Sequence, residues 1–321
     1  MAKKKKVKIK IRAIEVLCYI IFAIYIIIYA ISNGIKIHNK YEYQKTDEYK
    51  LIEKGYKEED SKTIVNKLNE EQITFLLDND FNQNYIDIIN NKYYKENNFD
   101  AYIEYKDYHY KTSIEDTIAI VNTHANLGWY EAEYTSATNN EFLVIANKFY
   151  KLPDDYKRDD LINTNLAYSY YGNQASKVVM DEFDIMYNDI KNALNVHLMI
   201  NSSYRSYEYQ EQLYNAFKRT SQAYADKQAA RPGHSEHQTG LVLNISSKEN
   251  PNNTFDDSEE FKWLKENSYK YGFIQRYPED KVHITGFSET WLFRYVGKEV
   301  AKIIHDEGIT FDEYYAFYIE K

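Results

Sequence analysis

Residues 229–244 decide the fold assignment of this chain, and they read AARPGHSEHQTGLVLN. A serine, Ser235, stands two positions before His237, and Gly240 then leads into a short apolar run that ends at Asn244. Taken alone, His237 could be a hydrogen-bonded histidine near a turn. Ser235 could cap the loop or contact a bound carboxylate. The stretch therefore has to be interpreted together with what surrounds it.

Two further blocks flank this stretch at a distance. Downstream, residues 284–297 read ITGFSETWLFRYVG and contain Glu289 and Leu292. Upstream, residues 201–207 read NSSYRSY, and Gln210 follows them at the start of an amphipathic helix. Arg205 lies in this upstream block just after an apolar strand, where it could form a structural ion pair or bind a carboxylate.

The first block resembles the metal-binding signature of the zinc D-alanyl-D-alanine carboxypeptidases of the vancomycin-resistance type, peptidase family M15. These enzymes act on the peptide stems of the bacterial cell wall. Their pattern is Ser-x-His-x-x-Gly-x-Ala-x-Asp, which Ser235, His237 and Gly240 match. Val242 stands at the alanine position and Asn244 at the aspartate position.

The downstream block resembles the Glu-Pro-Trp-His-x-Arg-Tyr-Val-Gly pattern of the same family. Glu289 matches the glutamate, whereas Leu292 stands at the histidine position. The resemblance implies that His237 and positions 244 and 292 are the zinc-ligand positions and that Glu289 is the general base. It also implies that Arg205 stabilises the oxyanion, and that Arg205, Ser235 and Gln210 bind substrate.

Two of these three ligand positions carry side chains unsuited to zinc. Asn244 is neutral, and Leu292 has no lone pair. A catalytic zinc usually has three protein ligands and one water position, so a single histidine is too few. We therefore expect no cofactor, with zinc as the alternative if His234 or His283 completes a rewired site.

The charge distribution argues against nucleic-acid binding. The chain has 321 residues with 40 Lys and Arg against 49 Asp and Glu, and seven of the basic residues lie within residues 1–12. The remainder is acidic, whereas nucleic-acid binding requires a basic surface that neutralises phosphates. Cys18 is the only cysteine, so the chain can form no internal disulfide.

An apolar segment follows the basic N-terminus. Residues 14–31 are almost wholly apolar, and the core run Val16–Ile31 is slightly shorter than the roughly 20 residues of a spanning helix. The basic flank predicts a single-pass anchor with a cytoplasmic N-terminus and an extracellular main domain. The alternative is a signal peptide that is cleaved after Ala30-Ile31-Ser32.

The rest of the chain predicts an α+β fold, with a small antiparallel sheet and surrounding helices preceded by a helical accessory region. We expect a tail and anchor at 1–35, a helical stalk at 36–112, a lead-in region at 113–174 and the carboxypeptidase-like domain at 175–321. Within the lead-in region, Thr117–Val121 and Phe142–Ala146 resemble strands, and residues 147–156 resemble a block that precedes the core in Gram-positive members of the family.

The core itself predicts a helix over 179–194 and strands at 196–200, 273–276 and 291–296. Asp257 with Glu260 predicts a capping box, Gly272 and Gly308 are expected to end helices, and Thr310 with Glu313 is expected to begin the last one.

Three functional hypotheses follow. The leading one is a membrane-anchored, cell-wall-facing pseudoenzyme that binds a peptidoglycan stem peptide or an envelope protein through the former catalytic cleft. The second is an active carboxypeptidase with an altered metal site. The third is a structural element of the cell envelope.

Overall fold

The computed structural model describes residues 2–140, 142–251 and 254–320. The chain divides into two compact units, Met1–Phe99 and Asp100–Lys321. Each unit is described by itself below.

The first unit is helical. Its hydrophobic core includes Leu51, Ile64, Leu76 and Ile88, all of which are fully buried. Asn69 forms a capping box with Gln72 at the start of the fourth helix. The helices are α1 (Ala2–Tyr43), α2 (Asp47–Glu53), α3 (Glu58–Lys67), α4 (Glu70–Asp78) and α5 (Gln83–Asn90), with a 3-10 turn at Glu96–Asn98.

Helix α1 contains the apolar segment. Its part from Glu15 to Tyr43 comprises 29 residues and is long and apolar enough to cross a membrane, and none of it is buried within the protein. The helix extends well beyond the apolar run that the sequence predicts, because residues 32–43, most of which are polar, continue it.

The second unit contains a four-stranded antiparallel sheet in the order β5-β6-β8-β7. Helix α8 lies against one face of this sheet, with Val179, Phe183, Met186 and Ile190 in the core that the strands complete. The strands are β1 (Tyr134–Thr135), β2 (Tyr150–Lys151), β3 (Leu161–Asn163), β4 (Gln174–Ser176), β5 (Leu198–Ser202), β6 (Val242–Ser247), β7 (Phe273–Tyr277) and β8 (Glu289–Tyr295). The predicted α+β class with a small antiparallel sheet is confirmed.

Helices surround this sheet, and β1–β2 and β3–β4 form two small ladders beside it. The helices are α6 (Phe99–Tyr108), α7 (Ile114–Asn122), α8 (Lys177–Leu194), α9 (Tyr207–Lys218), α10 (Gln222–Gln228), α11 (Glu259–Asn267), α12 (Val282–Thr285), α13 (Lys298–Glu307) and α14 (Phe311–Tyr314). Short 3-10 turns lie at Glu236–Thr239, Ser268–Tyr271 and Glu279–Lys281, and a π-helical turn lies at Tyr315–Ile319.

Two predicted strands are wrong. Thr117–Val121 lies in helix α7, which begins at the cap residue Ser113 and is buried on every side from Thr117 onward. Complete burial produces a continuous apolar run, which periodicity cannot distinguish from a buried strand. Residues 142–146 form no strand, because the guanidinium of Arg294 donates to the carbonyls of Phe142 and Val144 in place of a neighbouring strand.

The predicted helix ends are correct except for one cap. Thr310 and Glu313 form a capping box, and Gly272 and Gly308 end helical segments with positive φ. The cap of α11 is Ser258 rather than Asp257, since the Ser258 hydroxyl accepts from the backbone N–H of Phe261.

Candidate functional site

The central strands place three of the predicted site positions next to one another. Asn244 on β6 pairs with Ser202 of β5 on one side and with Leu292 of β8 on the other. Glu289 lies at the start of β8, opposite Tyr277. Positions 244, 289 and 292 therefore share one end of the sheet.

His237 is held in the 3-10 turn that leads into β6. The turn closes at Gly240, whose φ of +68 favours glycine, and an added Cβ there would meet Leu161 at 2.8 Å. The Nδ1 atom of His237 bonds to the carbonyl of Ser203. Because a carbonyl can only accept, the proton lies on Nδ1 and the Nε2 lone pair is free. Nε2 is buried and has no partner among the described residues.

Burial keeps this imidazole neutral. His237 is 5% exposed. Desolvation, reinforced by the positive charge of Arg205, lowers the pKa of His237 to about 3. At neutral pH the ring therefore presents an acceptor, oriented as a metal ligand or a hydrogen-bonded histidine would need it.

The two neighbouring positions that the resemblance implies as zinc ligands differ from each other. The Asn244 Oδ1 atom is buried and has no hydrogen-bond partner within the described part of the chain. Leu292 is only 1% exposed and packs with Val242, Tyr277 and Phe287. Position 292 thus belongs to an apolar cluster.

Arg205 is fixed by the loop that follows β5. Its backbone N–H donates to the His237 carbonyl at 3.0 Å. Its guanidinium donates to Gln210 Oε1 at 3.3 Å and to Ser202 Oγ at 3.4 Å. No described carboxylate forms an ion pair with it, so the structural ion pair that the sequence left open does not form within the described residues. Burial lowers the pKa of Arg205.

Gln210 and Ser235 have different surroundings. Gln210 is buried and donates to the Ala230 carbonyl at 2.8 Å, which aims its oxygen at Arg205. Ser235 is also buried, and although it precedes the 3-10 turn, its side chain makes no capping hydrogen bond there.

Glu289 is the only acidic side chain among the predicted site residues. Burial raises its pKa, and the positive charges of Arg205 and Arg276 partly offset that rise. It forms no ion pair with a described residue. The carboxylate and the Arg205 guanidinium therefore influence each other without direct contact.

A single cavity of about 950 Å³ brings all seven predicted site residues together. They are Arg205, Gln210, Ser235, His237, Asn244, Glu289 and Leu292. Sequence reasoning missed several aromatic and charged residues that line the same cavity, namely Trp129, Lys148, Asp226, Tyr277 and Phe287. Trp291 also lines the cavity and is 42% exposed.

Lys148 is the most notable of the missed residues. Its Nζ donates to the Asp226 carbonyl at 2.9 Å and lies 4.2 Å from the centre of the Phe287 ring. Burial lowers the pKa of Lys148 to about 8. The only signal in the sequence was its place in residues 147–156, the block that resembles the lead-in of the family.

The two histidines considered as replacement ligands are engaged elsewhere. His234 bonds through Nδ1 to the Asn147 carbonyl and through Nε2 to Glu133. His283 faces Asp116 at 3.5 Å. Neither histidine lines the cavity as the described residues form it. No group of three or more His, Cys, Asp or Glu residues within the described ranges is placed to hold a metal ion.

A buried ion network supports the cavity floor. Glu236, the neighbour of His237, pairs with Arg276 at 2.9 Å and with Arg294. Arg276 also pairs with Asp312. Both arginines are fully buried. Charges so buried need partners, and this network fixes the turn that presents His237.

Known proteins share this architecture. A family model described as VanY, D-alanyl-D-alanine carboxypeptidase, matches residues 172–298. The solved structure of the LdcB LD-carboxypeptidase is 35% identical, and the alignment covers 58% of this chain and 90% of that chain with a TM-score of 0.54. The chain belongs to the D-alanyl-D-alanine carboxypeptidase family.

Two relatives extend the comparison. YodJ of Bacillus subtilis (strain 168) is 37% identical over 182 residues, which are 54% of this chain and 66% of YodJ. The D-alanyl-D-alanine carboxypeptidase of Enterococcus faecium is 33% identical over 181 residues, which are 54% of this chain and 56% of the relative. The chain thus spans about half to two thirds of the length of these family members.

Proposed function

We propose that this family member binds the C-terminal carboxylate of a peptidoglycan stem peptide without a metal, as a membrane-anchored pseudoenzyme that faces the cell wall. The observation that carries this proposal is Arg205, whose guanidinium lines the cavity without a carboxylate partner among the described residues. A half-buried arginine forms a strong charge-assisted bond with a carboxylate. Peptides that end in D-alanine supply that group.

The donor set does not fit zinc. His237 Nε2 is a suitable nitrogen, but Asn244 offers a neutral amide oxygen and Leu292 offers an apolar side chain. Zinc sites in proteins use nitrogen, thiolate or carboxylate ligands and almost always have at least three. We derive no catalytic step through a metal from this set of side chains.

The remaining residues suit binding. Gln210 orients the guanidinium of Arg205, and Trp129, Phe287 and Trp291 provide apolar cavity surface for a peptide. Pockets that bind small ligands combine such apolar walls with a few convergent polar groups.

An altered metallopeptidase is the second candidate. It is favoured by Glu289, since the family's general-base position is retained and burial raises its pKa towards the range useful for proton transfer. This candidate requires D-alanine release that chelators inhibit. It also requires that the double change Asn244→Asp and Leu292→His adds little activity.

Peptide binding is the direct test of the proposal. Calorimetry of the detergent-solubilised chain with N-acylated D-Ala-D-Ala in EDTA should give a measurable Kd that Arg205→Ala abolishes. The matched control is Arg219→Ala, because Arg219 is an exposed arginine on the neighbouring helix. Absence of binding at millimolar peptide, or equal binding by Arg205→Ala, would refute the proposal.

A further inference from the structure

The inner end of the cavity, where His237 and Asn244 lie, presents hydrogen-bond acceptors to a ligand, whereas a metal ion would present a positive charge. His237 Nε2 and Asn244 Oδ1 are both buried hydrogen-bond acceptors without a partner in the described residues. A metal ion at this position would attract oxygen atoms of a ligand. Two acceptors instead attract a group that donates, such as N–H or ammonium.

A cationic, anion-binding group lies beside these acceptors. Arg205 donates to Ser202, and Ser202 is the strand partner of Asn244. The backbone N–H of Arg205 also bonds to His237. The guanidinium is therefore joined through Ser202 to the strand pair that carries Asn244, and the Arg205 backbone is bonded to the turn that carries His237.

Glu289 adds a carboxyl group to the same cavity. It lines the same cavity and interacts electrostatically with Arg205, although the two form no ion pair. A ligand that carries a negative charge towards Arg205 and a positive charge towards Glu289 would satisfy both groups. An α-amino acid carries these two charges as an ammonium and a carboxylate on the same carbon atom.

We propose that this inner end binds a zwitterionic α-amino acid, with the carboxylate on Arg205 and the ammonium on His237, Asn244 and Glu289. The ammonium group has three donors, and the site offers these three acceptors. Leu292 and Phe287 line the same cavity as apolar side chains, which suits a small side chain such as that of alanine. This inference rests on the proposed function for the role of Arg205 and adds recognition of the amino group.

Two kinds of ligand carry an ammonium and a carboxylate on one carbon: a free amino acid and the zwitterionic end of a diamino acid. The cavity of about 950 Å³ accommodates either. Alanine of both configurations and diaminopimelate are therefore titrated in parallel, and the tighter ligand identifies the source.

The test compares ligands that lack one charge each. Calorimetry of the full chain in EDTA uses alanine, N-acetylalanine, which lacks the ammonium, and alaninamide, which lacks the carboxylate. We expect alanine to bind at least about tenfold more tightly than either analogue, since charge-assisted bonds exceed neutral ones by about that factor. Equal binding of alanine and N-acetylalanine would overturn the inference and leave the proposed carboxylate recognition intact. Failure of all three ligands while N-acylated D-Ala-D-Ala binds would overturn it in the same way.

Substitutions at Asn244 test the acceptor side separately. Asn244→Asp keeps the shape and adds a charge, so the ratio of alanine to N-acetylalanine affinity should rise about tenfold. Asn244→Leu should abolish the preference for alanine. If the ratio of alanine to N-acetylalanine affinity changes in neither variant, Asn244 does not accept from the ammonium and the assignment is overturned. The nearly isosteric Asp variant preserves the test if the Leu variant fails to fold.

Discussion

At the scale of single residues, the orientation of Arg205 depends on Gln210. The side chain of Gln210 bridges the Ala230 carbonyl and the Arg205 guanidinium. The seven residues predicted as a site meet in one cavity, and the sequence could single them out because local motifs contain them. Lys148 and Trp129 were missed because they reach the cavity from parts of the chain that lie far from the motifs.

Replacing Gln210 should weaken ligand binding through Arg205. In Gln210→Ala the guanidinium loses one of its two side-chain acceptors, and the Ala230 carbonyl loses its side-chain donor. We expect peptide affinity to fall about tenfold and the free energy of unfolding to fall by about 1–3 kcal/mol. Calorimetry and urea unfolding measure the two effects. The adjacent, exposed Glu211 is the control, and a Glu211→Ala effect of equal size would contradict the assigned role.

The pKa of His237 predicts how stability changes with pH. The folded pKa of about 3 lies below the ordinary value of 6.5, so the unfolded chain binds more protons between these values. The contribution of the neutral His237 imidazole to the free energy of unfolding is therefore complete above pH 6.5 and is lost as the pH falls. The loss amounts to at most about 1.4 kcal/mol per pH unit.

Urea unfolding of the parent chain and of His237→Gln between pH 7 and pH 5 measures this contribution. It is the difference between the two proteins in the slope of the free energy of unfolding against pH. His305→Gln serves as the control, since His305 is exposed and lies on α13 away from the cavity. Identical slopes for the parent and His237→Gln would show that the imidazole is not buried as described.

At the scale of elements, the 3-10 turn that carries His237 is held by buried charge. Sequence patterns predicted α8, the last capping box and three strands of the sheet. They could not predict the pairing of Glu236 with Arg276 and Arg294, because these residues are far apart in sequence and resemble surface charges. The apolar run 142–146 was predicted to be a strand because its contact with Arg294 is also distant in sequence. The Arg294 guanidinium donates to the carbonyls of Phe142 and Val144, so no neighbouring strand is needed.

Neutralising Glu236 should destabilise the second unit strongly. Glu236→Gln leaves two fully buried arginines with one carboxylate fewer. Breaking a buried ion pair on one side costs about 3–5 kcal/mol. Urea unfolding should show this loss, whereas Glu266→Gln at an exposed site of α11 should change stability by less than about 0.5 kcal/mol. Equal effects of the two changes would exclude the network as a source of stability.

At the scale of the whole molecule, helix α1 contains a segment long and apolar enough to cross a membrane. We propose that it remains as an anchor with the second unit outside the cell. An intact anchor predicts that the full-length mass is found in the membrane fraction after alkaline carbonate extraction. Ile24→Arg should lower that fraction, since an arginine at the centre of a spanning helix costs about 2.5–3.5 kcal/mol. A shortened mass that begins near residue 33 would show a cleaved signal peptide instead.

The zinc content of the purified chain tests the central claim most directly. The full-length protein is dialysed against trace zinc and analysed by elemental mass spectrometry, with Asn244→Asp/Leu292→His as a control in which the family's ligand set is restored. We expect essentially no zinc in the parent chain and binding in the double variant. Close to one zinc per parent chain would contradict this expectation and would favour the metallopeptidase.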